Sequence, residues 1–286
     1  MIKRGATNTK AAKIIFWAAT AILALAFTAQ HLSTDKTWLV FLDNLHWTTG
    51  NTAAAAMAWI GFSQSTGAER AARRWFFAGL AAYSIGQLLW DIQVYIGWNP
   101  FPAPSDLGFL LLGPGCLLGL VAAMRTLLPK HNQLVTALDA AILSISILAL
   151  TLAVYLPRSA GIDLLTLSVL TAYPVALLTA ACFGILIVLH LRPHPHWSWI
   201  LFQIGLGLQG LIWMWWNAQV VIDNKTVDGS FLNQLFSVAS IIVGVSAMRW
   251  RMVPSDSVRY EKWCEGILRM LPLMAVVIAA MASVWV

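Results

Sequence analysis

Nine apolar stretches, separated by short polar or basic segments, make up nearly the whole chain. They fall near residues 14–31, 42–63, 75–97, 106–127, 134–156, 164–190, 197–222, 231–249 and 267–286. Each is about long enough to cross a hydrocarbon core of ~30 Å, which takes ~20 helical residues. The pattern predicts an all-α, polytopic membrane helical bundle of about nine spans. The longest non-apolar stretch, 249–266, reads as a connector. Within it, 252–256 breaks the preceding helix, and 258–266 suits a short amphipathic helix lying along the interface.

Charge placement orients these spans. With the N-terminus inside, alternate loops and helix ends hold 15 of the 18 Lys and Arg residues. The three on the other side are Lys36, Arg158 and Lys225. This is the positive-inside asymmetry, and it predicts a multi-pass membrane protein with a cytoplasmic N-terminus. The basic start followed by the run 14–29 resembles a signal peptide, yet the alternation holds only if that run is retained as the first span. Composition agrees: the chain is 59% hydrophobic and 10% charged, with mean hydropathy +0.73, where a soluble chain carries ~25% charged residues. The formal charge of +6 belongs to lipid-facing helix ends, so nucleic acid is not an expected partner. The three cysteines are not in exported loops, and no disulfide is expected.

An internal repeat is legible. Trp90–Ile96 aligns with Trp216–Ile222, four of seven residues being identical, with Asp91 facing Asn217. Ala123-Met124-Arg125 matches Ala247-Met248-Arg249. The reading is of two four-helix halves, 1–128 and 129–249, in one orientation, followed by 250–286 as connector and ninth helix.

Polar groups within the spans collect at the outer end. Asp43, His46 and Trp47 open the second span, Gln87, Trp90 and Asp91 close the third, and Trp213, Trp216 and Asn217 close the seventh. Gln87 and Asp91, like Trp213 and Asn217, are four apart and share a helix face. These nine residues predict an outward cavity, aromatic with a few polar groups, as small-ligand sites usually are. The competing reading is an interfacial aromatic belt. Further expectations follow from proline and histidine. The loop 99–106 should be ordered, anchored by Phe101, with Asp106 capping the next helix. Pro114 and Pro174 should kink their spans. Gly205, Gly207 and Gly210 suit close packing. His190, His194 and His196 read as a solvated inner turn. His31 and His46, the outer histidines, leave a haem open as an alternative.

Trp90-Asp91, Tyr95 and the proline-rich loop ending in Ser105-Asp106-Leu107-Gly108-Phe109-Leu110 resemble the multispan input regions of bacterial cyclic-di-GMP signalling proteins, which also precede some histidine kinases. Leu138-Asp139-Ala140, Tyr173-Pro174 and Leu271-Pro272-Leu273 resemble later parts of the same regions. The resemblance implies a sensory role and, through a further span, a cytoplasmic output domain. No GGDEF, EAL or phospho-acceptor histidine motif occurs in the chain, so no enzymatic activity is implied for these residues. The last apolar run stops at 283–286 without a polar tail, which fits a chain that continues. The expected partners are the lipid bilayer, a small-molecule or lipid signal, an output domain and a second copy in a homodimer. No cofactor is required, although a haem- or quinone-binding subunit and a small-molecule carrier are the alternative readings.

Overall fold

The computed structural model describes residues 4–98, 100–193, 196–251, 255 and 257–284. They form ten α-helices and no strand element: α1 (Arg4–Leu32), α2 (Lys36–Gln64), α3 (Gly67–Tyr95), α4 (Pro104–Leu110), α5 (Leu112–Leu127), α6 (Lys130–Tyr155), α7 (Leu164–Leu191), α8 (Trp197–Trp216), α9 (Phe231–Arg249) and α10 (Val258–Val284). A 3₁₀ turn, Leu156–Arg158, follows α6, and a π-helical segment, Asn217–Ile222, prolongs α8.

Helix starts are set by side chains that accept orphan backbone N–H groups. Asp35 accepts from Thr37 N at 2.8 Å, Asp163 from Thr166 N at 3.0 Å, Ser230 from Asn233 N at 3.2 Å, and His196 from Ser198 N at 3.2 Å. His196 is thus a helix cap at the inner turn, while His194 lies outside the described residues.

Six segments are long and apolar enough to cross a membrane: Lys10–Leu32, Pro104–Leu127, Lys130–Arg158, Leu164–Leu191, Trp197–Ile222 and Phe231–Arg249. They mark a helical membrane protein. The other three expected spans fall in α2, α3 and α10, which are long but carry more polar or charged residues. In α2 and α3 Asp43, His46, Asn51, Ser84, Gln87 and Gln93 are buried, whereas Arg70 and Arg74 are exposed. The expected boundary between connector and ninth span is absent: α10 is one continuous 27-residue helix. The end of the ninth stretch, 285–286, and most of the break at 252–256 lie outside the described residues.

Six helices close a ring: α2 packs on α3, α3 on α5, α5 on α7, α7 on α8, α8 on α9, and α9 back on α2. Outside it, α1 lies against α2, α6 against α7, and α10 against α6 and α7. Small residues permit the tightest seams. A Cβ on Gly244 of α9 would come within 2.4 Å of the Ala54 Cα of α2, and one on Gly108 within 2.5 Å of the Gly86 Cα. At both places only glycine lets the backbones approach so closely. Gly205 and Gly210 also face neighbouring helices, but Gly207 faces open space and has no packing role.

Prolines act slightly differently from expectation. The break near Pro114 falls three residues earlier, at Leu111 between α4 and α5, because the proline ring collides with the carbonyl of residue i−4, Leu110. Pro174 sits inside an unbroken α7. It cannot donate to the Leu170 carbonyl, and the Asn217 Nδ2 of the neighbouring π-segment donates there instead, at 3.0 Å.

The loops sort to two ends. At one end Gly229 meets Asp43 and Arg158 meets Asp223 at 3.2 Å. At the other, Arg73 donates to the Trp250 and Gly61 carbonyls, Arg249 lies over Trp197, and Arg192 pairs with Glu265 of α10 at 3.0 Å.

Candidate functional site

Inside the ring, toward the Asp43 end, lies an aromatic chamber. From α2 come Trp47 and Asn51; from α3, Tyr83, Gln87 and Trp90. Tyr83, Gln87 and Trp90 are spaced by four and three residues, so one helix face delivers all of them. The loop and α4 supply Phe101, Asp106 and Phe109; α8 supplies Trp213 and Trp216; α9 supplies Phe236. The interior open to the centres of water-sized molecules is about 30 Å³, room for about two waters. The rings interlock: Trp90 and Trp216 meet edge-on at 6.2 Å, Trp213 and Phe236 at 5.0 Å, and Tyr173 stacks under Trp213 at 4.1 Å.

A hydrogen-bonded chain crosses the chamber floor. Trp213 Nε1 donates to Tyr83 Oη at 3.2 Å, and Tyr83 donates to Gln209 Oε1 at 3.4 Å. Gln209 Nε2 donates to Ser240 at 2.8 Å, and Ser240 to Asn51 Oδ1 at 2.6 Å. It ties α8, α3, α9 and α2 together. The Nε1 donors of Trp90 and Trp216 make no hydrogen bond among the described residues.

Trp47, Trp90 and Trp216 also line a second, more polar space of about 230 Å³ measured in the same way, bounded by Asp43, Asn224, Lys225 and Asp228. The three tryptophans therefore form a partition between an outer vestibule and the chamber. In the vestibule loop, burial, and then the nearby Asp43, raise the Asp228 carboxyl above its ordinary range; Lys36 opposes this.

The polar residues expected at the site divide. Asp91 lies beside the chamber, not in its wall. It accepts from Gln87 Nε2 at 2.8 Å and from the Thr48 hydroxyl, so it fixes a lining residue. Asn217 is fully buried, serves the Leu170 carbonyl, and does not line the chamber. Asp43 and His46 form a separate hub that is almost wholly buried. Asp43 accepts from Gln30 at 2.7 Å, His46 Nε2 at 3.0 Å, Gly229 N at 2.8 Å and Asn233 at 3.0 Å. A carboxylate has about four acceptor positions, and all are used. Ser237 donates to the His46 carbonyl at 2.9 Å, and His46 Nδ1 lies 2.8 Å from the Ser237 hydroxyl. Asp43 also bounds the vestibule, whereas His46 lines neither space. The hub pins α1, α2, α9 and the loop before α9. Among the described residues, no group of three or more His, Cys, Asp or Glu side chains gathers as a metal would need.

Six lining residues were not anticipated: Asn51, Tyr83, Phe101, Asp106, Phe109 and Phe236. For Tyr83 the signal was present, seven residues before Trp90 on one helix face. Asp106 was expected as a cap. It does accept the Ala103 amide at 2.6 Å from within the first turn of α4, but it also reaches the chamber wall and accepts from the Tyr173 hydroxyl. Phe101 anchors its loop as expected, and Ser105 N is held by Gln93 at 3.3 Å; Asn99 lies outside the described residues.

No family model matches the chain, and no curated protein or solved structure is significantly similar to it.

Proposed function

We propose that this chain is a membrane-embedded signal-input module of the bacterial cytoplasmic membrane, with nine crossings and a cytoplasmic N-terminus, controlling a cytoplasmic output domain. The observation that carries the reading is the aromatic chamber, closed toward a vestibule by tryptophans from both proposed halves. A ligand entering there must part Trp90 from Trp216 and so bias how the halves pack. It shifts the balance only insofar as it binds one arrangement better.

Two halves are supported by helix adjacency. Matching α1, α2, α3 and α5 to α6, α7, α8 and α9 pairs the α2–α9 contact with α7–α5 and the α1–α2 contact with α6–α7. Residues 126 apart meet their own counterparts: Trp90 with Trp216 and Tyr83 with Gln209. Self-contact of equivalent residues is what a two-fold axis produces. The six qualifying spans, the two loop ends and the placement of Lys and Arg support the topology.

The functional test fuses the chain to a diguanylate cyclase or kinase output. Trp90→Ala and Trp216→Ala should change output across membrane and solute conditions. Identical output from intact and emptied chambers under every condition would refute the reading. For topology, reporters at Gly67, Lys130 and Ser255 should read cytoplasmic and those at Lys36, Ala103 and Lys225 exported; one clear reversal overturns the span assignment.

A further inference from the structure

The chamber holds an acid and no base. Asp106 lies in its wall and is only 6% exposed. Its two donors, the Ala103 amide and the Tyr173 hydroxyl, carry no charge. No Lys, Arg or His lines the space, and Asp106 has no ion pair among the described residues. A carboxylate buried without a countercharge is strongly disfavoured, and about two of its four acceptor positions remain unused.

The rest of the wall narrows the chemistry. Eight of the eleven lining side chains are aromatic, four of them tryptophan. Aromatic rings attract cations, tryptophan most strongly. The Tyr83, Gln209 and Asn51 oxygens are already engaged, so the five N–H donors of a guanidinium would outnumber the acceptor positions left on Asp106 and Gln87. A quaternary ammonium brings charge without donors and suits aromatic walls; since the free space holds about two waters, seating one requires Trp90 and Trp216 to part. From the unpaired acid and the aromatic walls, we infer that the chamber, as its tryptophans part, binds a quaternary ammonium cation, free or as a lipid head group. This rests on the reading of the chamber as the ligand site.

The test uses the whole chain in phosphatidylglycerol nanodiscs and isothermal titration calorimetry. The probes are choline, tetramethylammonium and the carbon isostere of choline, in which a tert-butyl group replaces trimethylammonium. Choline and tetramethylammonium should bind saturably, and the isostere about tenfold more weakly or not at all. Asp106→Asn should weaken choline about tenfold and leave the isostere unchanged. Because Asp106 also caps α4, a second pair covers a folding failure: Trp90→Phe should retain choline binding and Trp90→Leu should lose it. Nanodiscs doped with phosphatidylcholine identify the source. Loss of choline binding there points to a lipid head group, and unaltered binding to a soluble cation; both support the inference.

Isostere binding as tight as choline binding would sink the cation while leaving a ligand chamber standing. Choline binding untouched by both Asp106→Asn and Trp90→Leu would place the cation elsewhere and overturn the inference. Absence of binding by either cation, with the fused output still responding to Trp90→Ala, would refute the cation alone. An output blind to the emptied chamber would instead refute the sensory reading.

Discussion

Asn217 offers the sharpest test of the site geometry, because two explanations of it predict different energetics. If it supplies the donor that Pro174 removes, Asn217→Leu orphans the Leu170 carbonyl, 3.0 Å from Nδ2, in a fully buried setting. An orphaned buried acceptor costs about 1–3 kcal/mol. Inter-helix hydrogen bonds in membrane proteins average ~0.6 and reach ~1.7 kcal/mol. The substitution also removes the Asn217 Oδ1, a buried oxygen without a partner, which offsets part of the loss. The expected cost is about 1 kcal/mol. Pro174→Ala restores an amide at position 174 that donates to Leu170, four residues back. In that background Asn217→Leu should cost almost nothing, leaving a coupling of about 1 kcal/mol, inside the range seen for contacting residues. Reversible unfolding by detergent titration of the four proteins in mixed micelles measures it. Equal costs in both backgrounds, within ~0.3 kcal/mol, would refute the carbonyl-rescue account.

Other outcomes follow from the same contacts. Asp43→Ala leaves the buried donors of Gln30, Gly229 and Asn233 without their acceptor, at a cost of about 1–3 kcal/mol each; folded yield in membranes should collapse, and a stable variant lacking only signal response would give Asp43 a ligand role. Gly244→Val drives carbon into Ala54, 2.4 Å from the would-be Cβ. It should destabilise by at least about 1–3 kcal/mol in thermal unfolding, whereas Gly207→Ala, in open space, should be neutral or gain up to ~1 kcal/mol of helix propensity. Burial raises the Asp228 carboxyl, so its contribution is favourable below its unfolded range near pH ~4 and is lost as pH rises through the higher folded value. Hydrogen-exchange protection over 223–230, corrected for the intrinsic pH dependence of exchange, should therefore be greater in acid than at neutrality, and Asp228→Asn should abolish that difference.

The helical class, the apolar segments and the tryptophans of the chamber were legible because burial in a bilayer writes itself as apolar length, and ring-lining residues as helical spacing. What the sequence hid was pairing. Asp43 and His46 sit at the right depth for a ligand site, but their partners Gln30, Asn233 and Ser237 come from α1 and α9, up to about 190 positions away. Asn217 aligns with Asp91, yet one serves a carbonyl exposed by a proline in the preceding helix and the other steadies Gln87. Asp106 was read locally as a cap, and its second face became visible only when α3, α8 and α9 closed around it. The break at Leu111 illustrates the same limit at short range: the proline was plain, but its steric effect falls a turn upstream.

The continuity of α10 has a mechanical meaning. A rod of 27 residues at 1.5 Å per residue is about 40 Å long. Its main contacts are with α6 and α7, and it is held near its start by the Arg192–Glu265 pair. Had the connector and the ninth helix been separate pieces, a flexible joint would have absorbed displacement. As one lever, a tilt of about 5° at the clamped end swings the other by about 3.5 Å, a helix-shift amplitude of the kind that two-state proteins use as a switch.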